Sequence, residues 1–255
     1  MKLFNILNAA FIQGQFGVMV KKMWLRFFDK ESRISDQDNI NWLRENETKI
    51  SEFCSGLDEK LWLDIQDDVD RVCSSAKKTL ENIPHDLGGG GAYPLLYFIV
   101  RLCKPSLVVE TGVASGFSTY AILDALDKNK KGHLYSSDFP YFRLPNPIQF
   151  IGIVVPEYLK ERWSLFVKGD SINLNEIKKE ISQIDVFHYD SDKSYKGRES
   201  ALDIIDMNLT DKTWVIIDDI QDNGFFHDLI FKKEYKNWRV FRFEGKWVGL
   251  IMPEL

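Results

Sequence analysis

The sequence is poor in cysteine, and its cysteines are widely separated. Cys54, Cys73 and Cys103 are the three cysteines among 255 residues, and no two of them form a C-x-x-C pair. A disulfide-linked fold needs an even set of closely spaced cysteines, and a structural zinc site needs paired ones. The composition therefore indicates neither, and we expect reduced cysteines in the core of a cytoplasmic protein.

Long runs of basic residues are also missing, and the net charge is −5. Proteins that bind nucleic acid or anionic membranes through charge carry a basic patch or tract. Such partners are therefore not expected, and small-molecule chemistry is favoured. With 44% hydrophobic and 28% charged residues, the chain has a globular composition and enough length for one large domain or one domain with an extension.

The amino-terminal stretch, residues 1–28, is apolar but lacks the features of a targeting or membrane segment. Polar side chains such as Asn8 and Gln13 interrupt it, so it has neither the clean apolar core of a signal peptide nor the roughly 20 apolar residues of a transmembrane helix. Apolar residues recur from Leu3 to Phe28 at nearly helical spacing, which predicts an amphipathic helix. We expect it to pack on its own domain or on a second subunit, giving a homodimer, rather than on a membrane surface.

Residues 35–82 have the pattern of two or three helices that cover another part of the chain. Pro84 and the run Gly88–Gly91 then interrupt this pattern, because proline blocks helix continuation and glycine carries a large chain entropy. We place a domain boundary there, which divides an amino-terminal helix and helical cap (1–86) from a second domain (87–255). The glycine run is interpreted as a linker rather than a mobile lid.

Beyond the boundary, short apolar runs alternate with amphipathic helices. Strands are predicted at 107–110, 133–138, 164–170, 184–190 and 214–219. Because a helix or a long loop separates each from the next, the sheet should be mostly parallel and covered on both faces. WRVFRF and KWVGLIM close the chain around Glu244 and Gly245, a two-residue turn that predicts an antiparallel hairpin. The predicted fold is α/β: a doubly wound, seven-stranded Rossmann-like sheet that ends in this hairpin and carries an amino-terminal helical extension.

The first predicted strand runs into ETGVASG, residues 110–116, ahead of a helix. Glycines at this position allow a tight turn and close approach of a ligand to the backbone. The dinucleotide fingerprint is not met, because Ala114 stands where a second glycine would admit a pyrophosphate. Glu110 would also repel a phosphate and attract a cation. A neutral or positive ligand such as S-adenosylmethionine is therefore expected, with Asp138 at the end of the second strand in position to bind ribose hydroxyls.

Five motifs follow one another in the order that one enzyme family shows. They are ETGVASG, the acid of SSD at Asp138, KGDS at 168–171, HYDSDKSYKG at 188–197 and IIDDI at 216–220. In these motifs residues 87–255 resemble a class I S-adenosylmethionine-dependent methyltransferase, and they are similar to the metal-dependent O-methyltransferases of the catechol, caffeoyl-coenzyme A and macrocin types. The resemblance implies that Glu110, Gly112 and Ser118 line the methionine side of the cofactor, Asp138 the ribose, and Asp170 with Ser171 the adenine.

Three aspartates follow the fourth and fifth predicted strands: Asp190, then Asp218 and Asp219. Adjacent parallel strands lie about 4.8 Å apart, so these carboxylates can converge on one ion. An all-oxygen site suits Mg²⁺ or Mn²⁺ better than zinc, and a bound divalent ion lowers the pKa of a coordinated hydroxyl. The metal-dependent relatives have a similar arrangement of acids. We therefore predict a divalent metal, Mg²⁺ by preference, that assists methylation of a hydroxyl group.

Two residues just past the fourth strand are candidates for the general base that takes the hydroxyl proton. Asp192 accepts a proton without a pKa shift, whereas Lys193 needs its pKa to fall near a dication. Resemblance to the sugar-methylating relatives favours Asp192, and resemblance to the catechol type favours Lys193. Both stay open, with Asp192 preferred. His188 lies within the strand pattern and is predicted to be a core residue or a support for its neighbours rather than the base.

The acceptor is expected to be a small molecule, with a sugar and a phenol as the two main candidates. Residues 139–163 form a long segment after Asp138, and loops of this length are usually lids or binding loops. Arg143 could meet an anionic group of the substrate or lie on the surface, and Phe225 with Phe226 could form an apolar wall. These features do not distinguish a phenol from a sugar.

Two other functions are compatible with parts of the pattern. DSD at 190–192 has the form of the metal-binding D-x-D of a nucleotide-sugar glycosyltransferase, although the glycine loop with Glu110 argues against it. The chain could also bind the cofactor without catalysis, as a scaffold, since a fold does not determine a function. Measurements of S-adenosylmethionine binding and of methyl transfer would distinguish a methyltransferase from a glycosyltransferase and from a scaffold.

Overall fold

The computed structural model describes residues 34–140 and 144–253. Within them the chain forms one eight-stranded sheet with helices on both faces. The predicted amphipathic helix of residues 1–28 and the predicted substrate contact of Arg143 lie outside the described residues.

The strands are short, and most are rich in β-branched and aromatic residues, as expected for a sheet buried on both faces. In chain order they are β1 Glu47–Thr48, β2 Leu107–Thr111, β3 His133–Ser137, β4 Trp163–Phe166, β5 Val186–Tyr189, β6 Trp214–Ile217, β7 Trp238–Phe243 and β8 Lys246–Ile251. Their order across the sheet is β1-β7-β8-β6-β5-β2-β3-β4. Strand β8 is antiparallel to both of its neighbours, and the other pairs are parallel.

The predicted α/β fold is confirmed, including the antiparallel hairpin of β7 and β8 that turns at Glu244 and Gly245. The predicted parallel strands are present and differ from the prediction by a few residues at their ends. Strand β1 is an additional edge strand that pairs with β7. Its two residues are too few to show a periodic pattern, which is why the sequence predicts seven strands rather than eight.

The helices of the described residues agree with the predicted alternation of helix and strand. They are α1 Asp36–Glu45, α2 Ile50–Asp64, α3 Gln66–Leu80, α4 Tyr93–Cys103, α5 Phe117–Asn129, α6 Asp170–Glu180, α7 Tyr195–Ile205 and α8 Phe225–Lys232. Short 3-10 turns lie at Pro147–Phe150, Glu157–Arg162, Asp206–Asn208 and Ile220–Asp222. Helices α1 and α7 begin after serines, Ser35 and Ser194, whose hydroxyls accept a backbone N–H of the first turn.

Membrane spanning finds no support in these ranges, because none of the described helices combines the length and the apolar character that crossing a bilayer requires.

The two faces of the sheet bury separate apolar clusters, because successive side chains of a strand point to opposite faces. Val108 belongs to one cluster, with apolar side chains of α2, α3, α4 and α5. Val109 belongs to the other, with apolar side chains of α1, α6, α7 and α8. Helices α1, α2 and α3, which the sequence predicts to be a cap, therefore share the cores of the sheet. The domain boundary near residue 86 stays a prediction.

The described part of the predicted binding loop, residues 144–162, packs onto the loop that follows β2. Gly152 donates its backbone N–H to the carbonyl of Ala114 at 2.9 Å, and Val154 donates to that of Ser115 at 3.1 Å. The segment thus holds the glycine-rich loop in place from outside the sheet.

Candidate active site

The carboxyl ends of β2, β5 and β6 lie side by side and bring the predicted site residues together. Strand β5 pairs in parallel with β2 on one side and with β6 on the other. Past the strand ends the backbones remain in contact: Asp190 donates its N–H to Thr111 O at 2.9 Å. Asp218 donates in the same way to Tyr189 O at 2.9 Å. Together with Glu110 these acids occupy the edge of the sheet at which open α/β folds bind ligands.

Glu110 is fully buried near the end of β2, and hydroxyl groups surround its carboxylate. Oε1 accepts from Ser118 Oγ at 2.7 Å. Oε2 accepts from Thr119 Oγ1 at 2.7 Å and from Ser136 Oγ at 2.9 Å. These hydrogen bonds offset the cost of burying a carboxylate. Glu110 and Ser118 therefore face each other, and their contact with the methionine end of a cofactor stays a prediction.

His188 lies between two buried carboxylates. Its ring is fully buried, with Nδ1 3.4 Å from Glu110 Oε1 and Nε2 3.3 Å from Asp218 Oδ2. Burial favours the neutral ring, but the two carboxylates outweigh burial and raise the pKa of His188 to about 10. A buried imidazolium thus joins the acids of β2 and β6, and the prediction that His188 is a core residue is confirmed.

Asp218 has an acceptor atom that the described residues leave unused, and its negative charge acts on Asp190. Asp218 is 4% exposed, and its Oδ1 is buried without a hydrogen-bond partner within the described ranges. Burial raises the pKa of Asp190 to about 8, and the negative charge of Asp218 adds to the rise. A buried acid and a half-buried acid that repel each other mark a position where a cation would be stabilising.

Asp219 is held by two lysines. Lys193 forms an ion pair with its Oδ2, and the ammonium of Lys246, at the start of β8, lies 3.4 Å from its Oδ1. Burial alone would raise the pKa of Asp219, but the ammonium groups hold that pKa below its usual value. Burial alone would lower the pKa of Lys193, yet its pairing with Asp219 keeps that pKa raised. Lys193 is thus a charged ammonium while this ion pair lasts.

Asp192 and Lys193, the two candidates for the base, face different ways. Asp192 Oδ1 accepts from the backbone N–H of Ser194 at 3.0 Å, in the turn that leads into α7. Its carboxylate also packs beside Gly197 in the first turn of that helix. Lys193 reaches across to Asp219 instead. The structure therefore brings Lys193, and not Asp192, to the acids of β5 and β6, while the role of either residue as a base stays a prediction.

The predicted ribose and adenine ligands lie at the same edge of the sheet, beyond β3 and at the start of α6. Asp138 Oδ2 accepts from the backbone N–H of Ala114 at 2.8 Å, which ties it to the glycine-rich loop. Asp170 accepts from Ser191 Oγ in the loop after β5. Ser171 is exposed. The structure brings these residues to one side of the glycine-rich loop, and their contacts with ribose and adenine stay predictions.

The glycines of the loop after β2 allow close contact between backbones. Gly112 has a φ of 84°, and a Cβ at this position would overlap the carbonyl of Asp190. Gly116 has a φ of 100°, and a Cβ there would lie 2.8 Å from the α-carbon of Gly152. Contacts within the chain thus explain both glycines, and the role of Gly112 in cofactor binding stays a prediction. In the described part of the chain, the buried Oγ of Ser115 in this loop has no hydrogen-bond partner and could bind a ligand.

Gly91, the last residue of the glycine run, lies against the site. A Cβ added to Gly91 would overlap Oδ2 of Asp218, whereas one added to Gly89 would meet nothing within 4 Å. Gly91 also lines a small cleft with Asp218 and Lys246. Gly91 is therefore more than part of a linker, because the absence of a side chain lets its backbone approach Asp218. The linker interpretation of the run stays a prediction.

The predicted metal ligands, Asp190, Asp218 and Asp219, form a cluster but not a finished metal cage. As the described side chains stand, no three His, Cys, Asp or Glu residues are arranged to hold a metal ion. The ammonium of Lys193 forms an ion pair with the carboxylate of Asp219. The donor set nevertheless fits a divalent cation, because it consists of carboxylate oxygens and includes the unpartnered Oδ1 of Asp218. An ion bound by all three acids would compete with the Lys193 ammonium, and the metal ligands stay predictions.

The sequence patterns do not predict Arg198, Asn223 or Lys246, although the structure places all three at the site. A signal for Arg198 exists: it shares the buried face of α7 with Ala201 and Ile205, and a charge on an apolar helix face requires a partner. Lys246 becomes a neighbour of the acids only because β8 inserts beside β6, which the sequence does not specify.

Phe225 and Phe226 are buried in the core, and Phe225 also lines a cleft with Tyr195 and Leu202. The two phenylalanines are 4% and 1% exposed. Phe225 packs edge to face on Tyr195, and Phe226 covers Gly249 of β8. The interpretation of these residues as an apolar substrate wall stays a prediction.

Several solved methyltransferases have the same fold. One from Podospora anserina with S-adenosylhomocysteine bound is 15% identical, with a TM-score of 0.54, and the match covers 72% of this chain and 88% of that one. An O-methyltransferase from Bacillus cereus, also in complex with S-adenosylhomocysteine, is 17% identical, with a TM-score of 0.54 and coverage of 70% and 90%. A methyltransferase from Geobacter sulfurreducens is 16% identical, with a TM-score of 0.52 and coverage of 71% and 88%.

A family model described as a methyltransferase domain matches residues 109–220. In residues 109–220 the chain is therefore similar to a methyltransferase domain, and it shares the fold of the solved methyltransferases. The matched range begins in β2 and contains Asp138, Asp190, Lys193 and Asp219, so it includes most of the site described above. The family resemblance predicted from the sequence is confirmed, and the glycosyltransferase interpretation of DSD is not supported. No curated protein matches the sequence.

Proposed function

We propose that the methyltransferase domain transfers the methyl group of S-adenosylmethionine to a hydroxyl group of a small molecule, with help from a divalent metal. The observation that carries the proposal is the cluster of Asp190, Lys193, Asp218 and Asp219 beside the glycine-rich loop, at the carboxyl edge of the sheet. The similar structures from Podospora anserina and Bacillus cereus contain S-adenosylhomocysteine, which supports the cofactor. The Bacillus cereus protein is an O-methyltransferase, which supports a hydroxyl acceptor.

The cofactor is expected to lie along the ends of β2 and β3. The loop after β2 offers the buried Oγ of Ser115, and Asp138 follows β3 within hydrogen-bond distance of that loop. A carboxylate at this position suits ribose hydroxyls and disfavours a phosphate. S-adenosylmethionine carries a ribose and a sulfonium but no phosphate, so it suits these groups.

Methyl transfer from a sulfonium is an in-line displacement. The S–CH₃ bond breaks as the O–CH₃ bond forms, the electron pair stays on sulfur, and the hydroxyl proton has to leave to a base. A divalent metal bound by Asp190, Asp218 and Asp219 would lower the pKa of that hydroxyl and orient it. Lys193 can accept the proton only as a neutral amine, which requires it to leave Asp219. We favour Lys193 over Asp192 as the base because Asp192 faces the first turn of α7.

The acceptor within this proposal is a phenol or a sugar. The proposal also includes a cytoplasmic enzyme that forms a homodimer through residues 1–28. Light scattering of the full chain and of a chain that starts near Ile34 would test the dimer.

Calorimetric titration with S-adenosylhomocysteine tests the cofactor. Asp138→Ala should weaken binding about tenfold, because losing a hydrogen-bonded contact of about 1.4 kcal/mol changes Kd by that factor. Asp127→Ala is the control, since Asp127 is a partly exposed acid of α5 that pairs with Lys130. If the wild-type protein does not bind S-adenosylhomocysteine, the cofactor assignment fails. Tight binding without methyl transfer to a broad panel of phenols and sugars would favour a scaffold instead.

Methyl transfer measured on that panel tests the metal and the base. A chelator should abolish activity and added Mg²⁺ should restore it; full activity in chelator would remove the metal from the proposal. Lys193→Gln should lower kcat at least about 100-fold, the usual contribution of a general base. Lys246→Gln is the matched control, because it removes the other lysine beside Asp219 from an exposed position. Equal losses in the two variants would mean that both lysines act only through the charge of Asp219.

A further inference from the structure

Arg198 is a buried cation beneath the acid cluster. It lies in the first turn of α7 and is 1% exposed. Its Nη2 donates to the carbonyl of Asp218 at 3.1 Å and to that of Asp219 at 2.8 Å. Its Nη1 donates to Oδ1 of Asn223 at 3.0 Å. One guanidinium group therefore binds the backbone of two consecutive acids and the residue that ends the same turn.

Asn223 extends this contact to the other acidic loop. Its Nδ2 donates to the carbonyl of Lys193 at 2.8 Å, so the side chain joins the turn after β6 to the loop after β5. Asn39 of α1 fixes the turn from the opposite side, since its Nδ2 donates to Ile220 O and Asn223 O at 3.1 Å each. The guanidinium of Arg198 and the amide of Asn223 thus connect the backbone around Asp219 with the backbone around Lys193.

The backbone that Arg198 binds is held in an uncommon conformation. Asp219 has a φ of 54°, in the left-handed region that residues other than glycine seldom adopt. Such a conformation persists when surrounding contacts over-determine it. Arg198 supplies two of those contacts, and they set the directions in which the Asp218 and Asp219 side chains leave the turn.

A purely stabilising role does not account for this arrangement. The acceptors of Arg198 are two carbonyl oxygens and an amide oxygen rather than a carboxylate, and its Nε has no partner in the described residues. A buried cation with such partners is a costly way to stabilise a fold. The charges of Asp190, Asp219 and Asp222 act favourably on it, so the guanidinium also compensates the acids above it.

We infer that Arg198 is a positioning residue of the site: its guanidinium fixes the backbone of Asp218 and Asp219 and, through Asn223, the place of Lys193. The inference rests on the proposed function for its catalytic meaning. Its structural content, that the Lys193–Asp219 ion pair depends on Arg198, can be tested without an acceptor.

The test measures the accessibility of the Lys193 amine in the full chain. Lysines are acetylated with an N-hydroxysuccinimide ester, and the rate at Lys193 is compared by mass spectrometry with that at Lys49, whose side chain is 74% exposed. In Arg198→Ala the relative rate at Lys193 should rise at least about fivefold, the factor that corresponds to loss of about 1 kcal/mol of pairing. Millimolar guanidinium chloride should restore slow labelling, and urea, which has the same shape without the charge, should not.

Asn223→Ala and Asn208→Ala form a matched pair of controls. Both asparagines are 8% exposed, and Asn208 donates to the carbonyls of Ile181 and Ser182, far from the acids in sequence. Asn223→Ala should accelerate labelling of Lys193, and Asn208→Ala should not, although both lower the unfolding temperature. Equal acceleration in both would overturn the inference, because any loss of stability would then be sufficient.

Unchanged labelling of Lys193 in a folded Arg198→Ala protein also overturns the inference. If that variant does not fold, Arg198→Lys replaces it. A single ammonium group cannot bind both carbonyls and Asn223 at once, so labelling should again accelerate, and an unchanged rate is a negative result. Affinity for S-adenosylhomocysteine should change less than about threefold in either variant, which is under 1 kcal/mol. Absence of binding to the wild type would refute the proposed function and leave the labelling result as evidence on Arg198.

Discussion

Glu110 and Asp218 are both buried acids at the carboxyl edge of the sheet, and His188 joins them, but the chain satisfies them differently. The carboxylate of Glu110 receives hydrogen bonds from three hydroxyl groups. Oδ1 of Asp218 receives none from the described residues, and the pKa of neighbouring Asp190 is raised by burial and by the charge of Asp218. The carboxylate of Glu110 is therefore satisfied by the protein itself, whereas that of Asp218 has an acceptor atom left for a ligand.

The lysines on the β6 side fit this difference. Lys193 and Lys246 have side chains that are 40% and 53% exposed, so each can leave Asp219 without a large loss of burial. The hydroxyls around Glu110 are buried parts of β3 and α5 and have no such freedom. The comparison indicates that ligand binding should rearrange the β6 side and leave the surroundings of Glu110 unchanged.

The largest expected effect comes from exchanging the two acids for their amides. Glu110→Gln should lower the free energy of unfolding by about 3 kcal/mol, because it removes a counter-charge of the buried His188 imidazolium and turns an amide toward hydroxyl donors. Thermal unfolding followed by circular dichroism should show a fall of roughly 10 °C.

Asp218→Asn serves as the matched variant. It also removes a charge beside His188, but it relieves repulsion with Asp190, so stability should change by less than about 1 kcal/mol. If the two variants lose equal stability, the two acids are equally part of the core and the comparison fails.

The sequence predicts which residues lie at this edge of the sheet better than it predicts the directions in which their side chains point. Parallel strands have to bring Asp190 and Asp218 to one edge, and the apolar runs before them are long enough to identify. Whether Asp192 or Lys193 faces the acids depends on where α7 begins, and Ser194 caps that helix one residue later. A shift of a single residue reverses the answer, and no periodic pattern specifies a loop to that precision.

Patterns and spacings in the sequence do not predict contacts between distant segments. Gly91 reads as part of a flexible run, and only the fold brings its backbone against Asp218. Gly112 shows the opposite case. The sequence predicts correctly that a backbone contact requires glycine there, but the contact in the structure is with the carbonyl of Asp190 rather than with a ligand. Substituting Gly112 would therefore disturb the acidic loop as well as a cofactor.

The glycine run offers a second way to test the β6 side. Gly91→Ala should lower the free energy of unfolding by about 2 kcal/mol, because its Cβ would overlap Asp218 and the packing would have to shift. Gly89→Ala should be neutral or stabilise the protein by up to about 1 kcal/mol, since its Cβ meets nothing and alanine restricts the unfolded chain. Urea unfolding measures both, and equal midpoints would show that the run does not rest on the acids.

A smaller effect is expected from pH in the presence of chelator. Folding raises the pKa of Asp190 to about 8, above its value in the unfolded chain, so its contribution to stability is full at acid pH and is lost as pH rises toward 8. As the pH rises from about 5 to about 8, the unfolding temperature should therefore decrease. The decrease should be less steep in Asp190→Asn.

His188 acts in the same direction at higher pH, because its pKa is raised to about 10 by Asp218 and Glu110 against the effect of burial. The difference in slope between wild type and Asp190→Asn isolates the aspartate. Parallel curves would mean that Asp190 is already compensated, by Lys193 or by solvent, and would remove one argument for a cation at this position.

The smallest effect is expected from Asp192→Asn. The asparagine Oδ1 can accept the Ser194 N–H as the carboxylate does, so stability should change by less than about 0.5 kcal/mol. Methyl transfer, once an acceptor is known, should stay within about threefold of wild type, because a residue that faces the first turn of α7 cannot take the hydroxyl proton. A loss of turnover with unchanged stability and unchanged S-adenosylhomocysteine affinity would make Asp192 the base. The loop after β5 would then have to turn Asp192 toward the acids when ligands bind, and the rearrangement expected of the β6 side would include its backbone as well as its lysines.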